Sequence, residues 1–338
     1  MKLAVFSSKP YVREYFDSIN EDYGHEIRYF DPRLNPDTVP LAQGYDAVCP
    51  FVNDVVNREV IEKLAEYGVK IVSLRSAGFN NVDIDAAREH GIAVTRVPAY
   101  SPNSVAEHTV GLALALNRRI CRANTRVHDG NMELTGLMGF DFKGRTVGVI
   151  GTGKIGLEFA RIMIGFGCEV LGFDPYPSDE FKTLGASYVE LDELYERSDV
   201  ISLHCPLTPE THYMINAESI AKMKTGVMVL NTSRGPLIDT EQVIEGLKSR
   251  KIGYLGLDVY EEESDLFFED LSSEVIEDDV FARLLTFPNV VITGHQAFFT
   301  HEAMTSIAHT TLKNVADFEK QALEEKNVVD GTFVKQKA

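Results

Sequence analysis

Short apolar runs alternate with stretches of helical period along almost the whole chain. Residues 2–6, 47–51, 70–75 and 93–97 read as strands. Between them, residues 57–67 read as a helix, because Val60, Ile61, Leu64 and Ala65 fall on one face and Gly68 supplies the stop. Such alternation predicts parallel sheets with crossover helices. A long helix is expected from Pro102, with Ser101 as its cap, running through Val105, Leu112, Leu114 and Leu116 towards Arg119. Six further strands follow at 146–150, 169–173, 199–204, 226–231, 254–259 and 290–293, enough with their helices for a complete doubly wound sheet. A last helix is expected over 302–324. Neither an internal repeat nor a low-complexity linker interrupts the pattern.

Composition narrows the class. The chain has 338 residues, 44% of them hydrophobic and 25% charged, which suits two domains with buried cores. No apolar run approaches the roughly 18 residues of a membrane span. The opening run Met1–Phe6 reads as a buried strand rather than a leader. Cys49, Cys121, Cys168 and Cys205 are scattered, with neither metal-site spacing nor a disulfide framework, so a cytoplasmic protein without a bound metal is expected. The net charge of −18 argues against nucleic-acid and membrane partners. It also means that an anionic substrate needs a local positive group.

Residues 146–156 read Thr-Val-Gly-Val-Ile-Gly-Thr-Gly-Lys-Ile-Gly. Gly151, Gly153 and Gly156 form G-x-G-x-x-G after a β-branched strand and before an amphipathic helix, and Asp174 ends the next strand about 20 residues on. In this context Gly151 permits the tight turn, Gly153 lets a pyrophosphate approach the backbone, and Gly156 lets helix and strand pack closely. The helix N-terminus offers N–H groups to the phosphates. Asp174 can accept hydrogen bonds from both adenine-ribose hydroxyls, and its charge repels a 2′-phosphate. The following Pro175-Tyr176-Pro177-Ser178 supplies no base, so NAD is expected over NADP.

Three polar residues sit just beyond strands of the second series, where ligands bind in such folds. Arg234, in Asn-Thr-Ser-Arg-Gly-Pro, can grip a carboxylate with two parallel hydrogen bonds. His295 follows Val290-Val291-Ile292-Thr293-Gly294 and suits acid–base work near pH 7. Glu263 stands in a strongly acidic stretch from Glu261 to Asp270, and the residue pattern alone does not select it over Glu261 or Glu262.

At this point the chain resembles a known family over essentially its whole length, the D-isomer-specific 2-hydroxyacid dehydrogenases, and within it the bacterial fermentative D-lactate branch. The residues carrying the likeness are Leu-Arg-Ser-Ala-Gly-Phe-Asn-Asn at 74–81, Arg-Val-Pro-Ala-Tyr-Ser-Pro at 96–102 and Gly-Thr-Gly-Lys-Ile-Gly at 151–156. Phe-Asp-Pro-Tyr-Pro at 173–177, Ser-Leu-His-Cys-Pro-Leu-Thr at 202–208 and Asn-Thr-Ser-Arg-Gly at 231–235 continue it. Leu-Asp-Val-Tyr-Glu-Glu-Glu at 257–263 and Gly-His-Gln-Ala-Phe at 294–298 complete it.

The resemblance implies that Arg234, Glu263 and His295 are catalytic, Glu263 being the second acid of Asp-Val-Tyr-Glu-x-Glu. It implies that amides of Ala77 and Gly78 bind the substrate carboxylate together with Arg234, and that Tyr100, Phe299 and Phe51 line the substrate pocket. It assigns NAD contacts to Gly151, Gly153, Lys154, Ile155, Gly156, Asp174, Cys205, Pro206, Thr211, Thr232, Ser233 and Asp258. The implied α/β fold has two doubly wound parallel-sheet domains with an active-site cleft between them. One is a flavodoxin-like substrate domain, 1–100 plus 299–338, and the other an NAD-binding Rossmann domain, 101–298. Also implied are reversible reduction of pyruvate to D-lactate and a homodimer or homotetramer formed through the helix from Pro102. Two alternatives stay open: a relative acting on a bulkier 2-keto acid, and an NAD(H)-sensing corepressor-like protein.

Overall fold

The computed structural model describes residues 1–263, 266–268 and 270–329. Ser264, Asp265 and Glu269 of the acidic stretch, and 330–338 of the expected substrate domain, lie outside the described residues. The chain forms two compact units, Met1–Ser101 with Phe299–Ala338, and Pro102–Phe298.

The first unit holds a five-stranded parallel sheet of β1 (Lys2–Val5), β2 (Glu26–Tyr29), β3 (Ala47–Cys49), β4 (Ile71–Ser73) and β5 (Ala93–Thr95), in the order β2-β1-β3-β4-β5. This is the flavodoxin-like order. Side chains alternate across the sheet, and both faces are covered. Leu3 and Val5 join Val12 and Phe16 of α1 (Pro10–Asn20). Ala4, Val48 and Val72 pack with Val60, Ile61 and Leu64 of α2 (Arg58–Glu66) and Ala86 and Ala87 of α3 (Ile84–Glu89). Buried on both sides, the strands read as near-continuous apolar runs.

The second unit opens with α4 (Pro102–Asn117) and α5 (Ile120–His128). Its sheet contains β6 (Thr146–Ile150), β7 (Glu169–Phe173), β8 (Ser187–Tyr188), β9 (Val200–Leu203), β10 (Val227–Asn231), β11 (Ile252–Leu257) and β12 (Val290–Ile292). The order is β12-β11-β10-β9-β6-β7-β8, all parallel, with the switch between β6 and β9. One face packs α4 and α6 (Lys154–Gly165) through Leu112, Leu116, Phe159 and Met163. The other packs Leu194, Ile220, Val243 and Leu247, from helices that follow β8, β9 and β10, against Ile201, Leu203 and Val229. The last helix of the chain, His301–Glu319, returns to the first unit, where Ala308, Leu312 and Val315 lie against Leu3, Val5 and Ile71. That docking makes the first unit discontinuous in sequence.

Four elements depart from the sequence expectations. β2 is a half-exposed edge strand whose Glu26-Ile27-Arg28-Tyr29 lacks an apolar run. β8 spans two residues, too few for a periodicity signal. The expected helix from Pro102 to Arg119 ends at Asn117, and Arg119 in left-handed conformation (φ +54°) separates it from α5. The final helix stops at Glu319 rather than 324. Gln321 there adopts φ +54°, and the Ala322 amide donates back to the Asp317 carbonyl, the closure of a Schellman turn. Among the described residues, no helix is long and apolar enough to cross a membrane, and no group of three His, Cys, Asp or Glu could hold a metal ion.

Candidate active site

Because every strand of the second sheet is parallel, the segments after β6, β7, β9, β10, β11 and β12 emerge along one edge, and all the candidate residues of this unit lie there or on α6. The turn after β6 is the tightest part. Gly151 has φ +89°, and a Cβ on it would lie 2.6 Å from the Cys205 amide nitrogen. A Cβ on Gly156 would lie 2.0 Å from the Gly151 carbonyl oxygen. Only hydrogen fits at either place. Gly153 caps α6 in extended conformation, with open space where its Cβ would be. The amides of Lys154, Ile155 and Gly156 are the first of α6, where no carbonyl one turn earlier is available to them. A helix N-terminus reached through such a glycine turn has the chemistry to receive a diphosphate.

Asp174, just past β7, is fixed from three sides. Its Oδ2 accepts from the Thr152 amide at 2.7 Å and from Thr152 Oγ1 at 3.3 Å, while Oδ1 accepts from the Tyr176 amide at 2.9 Å. Tyr188 Oη lies 2.6 Å from Thr152 Oγ1 and accepts from the Ser178 amide, closing the network. Oδ1 keeps a lone-pair site for a ribose hydroxyl, whereas Thr152 occupies both sites of Oδ2.

Cys205, after β9, is buried, and burial pushes its thiol up to about 12. Its carbonyl accepts from Ser233 Oγ at 2.6 Å. Thr211 Oγ1 donates to the Pro206 carbonyl at 2.7 Å, and buried Thr232 shares a 2.8 Å hydroxyl bond with Thr109 of α4. The Ser233 bond joins the loops after β9 and β10, and the Thr232 bond ties the second of them to α4.

Arg234 follows β10. Its carbonyl is held by Asn231 Nδ2 at 2.8 Å, and its Nη1 donates to the Ser233 carbonyl at 2.7 Å. One of five guanidinium donors is thereby used. Among the described residues, Arg234 makes no hydrogen bond to Glu263 or His295.

Glu263 and His295 are brought together. Glu263 Oε1 lies 2.9 Å from His295 Nδ1, and Glu263 Oε2 accepts from the Tyr260 amide at 3.1 Å. An ionised carboxylate only accepts, so the hydrogen between them sits on Nδ1. Nε2 has no partner among the described residues. The pair is about four-fifths buried, and the Phe268 ring stands 5.7 Å from the imidazole. Glu261, one of the two rivals for the acid, accepts instead from the Thr240 amide at 3.0 Å.

Asp258 is fully buried after β11. Burial alone would raise its pKa, but hydrogen bonds from His108, Thr293 and the Ala297 and Gln296 amides outweigh it and hold the carboxyl below its ordinary value. His108 and Thr293 escaped sequence reasoning. His108 is one of several polar residues of α4, about 150 residues from Asp258, and no local spacing links them.

In the first unit, Ser76, Ala77 and Gly78 follow β4. The Ser76 hydroxyl donates to the Gly78 carbonyl at 2.8 Å, and Arg96 Nη1 donates to the Ala77 carbonyl at 3.2 Å. The Arg75 guanidinium covers the Phe51 ring at 4.7 Å. Tyr11 meets Phe299 edge-on at 4.7 Å, and Tyr100 is partly buried.

Residues 110–297 match the model of the D-isomer specific 2-hydroxyacid dehydrogenase, NAD binding domain. The chain is 58% identical to a 2-hydroxyacid dehydrogenase homolog of Haemophilus influenzae, over 93% of this chain and 95% of that one. It is 56% identical to the D-lactate dehydrogenase of Escherichia coli, over 95% of this chain and 97% of that one. The apo structure of the Escherichia coli D-lactate dehydrogenase superposes with a TM-score of 0.89 at 52% identity, covering 97% of this chain and all of that one. The chain belongs to the D-isomer specific 2-hydroxyacid dehydrogenases, a family of NAD-dependent oxidoreductases.

Proposed function

We propose that the protein interconverts pyruvate and D-lactate: pyruvate + NADH + H⁺ ⇌ D-lactate + NAD⁺. The hydrogen bond between Glu263 and His295 carries the chemical reading, because it holds the Nδ1 edge of the imidazole against the carboxylate and turns the Nε2 edge away from it. Likeness to the Escherichia coli D-lactate dehydrogenase supports the choice of substrate.

When bound, NADH supplies a hydride to C2 of the keto acid. The protein supplies charge, orientation and a proton. Arg234 pairs with the substrate carboxylate and favours the negative charge growing on the C2 oxygen. His295, protonated, gives its Nε2 proton to that oxygen, and in the reverse direction it must be neutral to take the proton back. Glu263 fixes the ring through Nδ1. Amides of Ala77 and Gly78 add carboxylate donors, and Tyr100, Phe299 and Phe51 supply apolar surface for a small substrate. Gly151, Gly153, Lys154, Ile155 and Gly156 hold the diphosphate. Asp174 takes the adenine ribose, and Cys205, Pro206, Thr211, Thr232, Ser233 and Asp258 form the remaining cofactor wall. Initial rates of NADH oxidation with pyruvate, 2-ketoisocaproate and phenylpyruvate test the substrate. The highest kcat/KM belongs to pyruvate; a preference for either larger acid would overturn the assignment.

Of the expected homodimer or homotetramer through the helix from Pro102, we propose the dimer, with its contact moved to the segment that follows α4. No residue of α5 is buried, and Ile120, Val127, Met132, Leu134 and Met138 are each more than half exposed. Arg118, Arg122 and Arg126 stand among them in a chain of net charge −18. A second copy offers both an apolar surface and acidic groups to cover this arm. In sedimentation, Leu134→Asp with Met138→Asp yields monomers where the parent chain is dimeric or larger; an unchanged assembly contradicts the assignment.

A further inference from the structure

His295 adopts φ +52°, a left-handed conformation that side-chain-bearing residues rarely hold without support. The support is Asp258. Its carbonyl accepts from the His295 amide at 2.7 Å. Its Oδ1 accepts from the Gln296 amide at 2.9 Å and from Thr293 Oγ1 at 2.5 Å, and its Oδ2 accepts from the Ala297 amide at 2.8 Å. One buried residue thus grips the turn on both sides of the imidazole.

Helix α4 adds one more group. His108 Nε2 lies 3.0 Å from Thr293 Oγ1 and 3.4 Å from Asp258 Oδ1. The Thr293 hydroxyl donates to the carboxylate, so only its lone pairs remain for His108, and the hydrogen in that contact belongs to His108 Nε2. The relay runs from imidazole N–H to hydroxyl to carboxylate, and the carboxylate is the acceptor of the turn's amides. His108 is about one-fifth exposed.

We propose that His108 is a positioning residue for the reaction: through Thr293 and Asp258 it locks residues 293–297 so that His295 presents Nε2 to the substrate. This rests on the reading of His295 as proton donor. His108 does not touch the reacting atoms; it restricts the turn that carries them.

The test uses the full-length protein and three variants. His108→Leu removes the donor. Thr293→Val removes the hydroxyl at nearly constant shape, and it carries the test alone if His108→Leu does not fold. His108→Gln retains an N–H able to reach Thr293. In hydrogen–deuterium exchange of the cofactor-free protein, the peptide covering 293–298 exchanges about tenfold faster in the first two variants, as expected when one bond of the buried relay is lost. A peptide covering β10 does not change. In steady-state kinetics, kcat falls by about tenfold while KM for pyruvate moves less than about twofold, and His108→Gln recovers most of both effects. Unchanged exchange overturns the clamp whatever happens to activity. Faster exchange with an undisturbed kcat overturns its coupling to His295. Failure of the underlying reading looks different: His295→Gln would then keep full turnover while exchange in His108→Leu still rises.

Discussion

Glu263 Oε1 and His295 Nδ1 lie 2.9 Å apart, joined across two loops that follow neighbouring strands β11 and β12. The carboxylate fixes which imidazole nitrogen bears the structural hydrogen, and so, in the proposed function, which one is offered to the substrate. Replacing His295 by Gln lowers kcat by about 10²-fold or more, because the general acid is gone while the cofactor cradle is intact. Glu263→Gln produces a smaller loss, since an amide still reaches the ring but without charge. Kinetics together with NADH fluorescence titration check this, the dissociation constant for NADH remaining near that of the parent in both variants.

In the proposed function Arg234 supplies the cation that a chain of charge −18 needs for an anionic substrate. Arg234→Gln lowers kcat/KM for pyruvate by about 10²-fold, the loss of a charge-assisted pair, and shows in both KM and kcat. Arg234→Lys recovers only a part, because an ammonium cannot reproduce the planar fork. Near-normal kinetics in the Gln variant would remove Arg234 from the site.

Asp174 is immobilised by the Thr152 and Tyr176 amides, so its charge cannot swing away from an incoming 2′-phosphate. Asp174→Ser raises the NADPH-to-NADH ratio of kcat/KM by about tenfold, equivalent to about 1.4 kcal/mol. Comparable efficiency with both cofactors in the parent enzyme would contradict the selectivity argument itself.

His204, between β9 and Cys205, has a buried Nδ1 without a hydrogen-bond partner among the described residues and an Nε2 only 2.8 Å from Ser202 Oγ. Burial pushes its pKa down to about 3. The folded chain therefore refuses a proton that the unfolded chain accepts below about pH 6.5. The stability due to the neutral ring is complete above that pH. It falls by up to about 1.4 kcal/mol per pH unit as pH drops towards the folded value. Urea midpoints at pH 7 and pH 5 measure the drop, and His204→Gln shrinks it. An equal drop in both proteins would show that the ring is not held neutral.

Much of this architecture is legible in the residue pattern because parallel strands buried on both faces leave short apolar runs, and because the glycine turn has a steric need for its glycines. Gly151 and Gly156 leave no room for a Cβ. Edge strands are harder: β2 alternates polar and apolar positions over only four residues. Helix ends governed by left-handed residues, Arg119 and Gln321, carry no glycine to announce them. Among the site residues, Asp174 and His295 stand out by position after a strand, whereas Glu263 is one acid among several until a resemblance or its bond to His295 selects it. His108 was invisible, since only the packing of α4 against β11 and β12 brings it to Asp258.

The most direct test is one incubation of the purified protein with pyruvate and NADH deuterated at the nicotinamide C4 position. The lactate formed is resolved by enantiomer and its C2 isotope read by mass spectrometry. The account predicts D-lactate carrying deuterium at C2 from one of the two C4-deuterated epimers and not the other. L-lactate, a racemate, or lactate without deuterium from either epimer would contradict it.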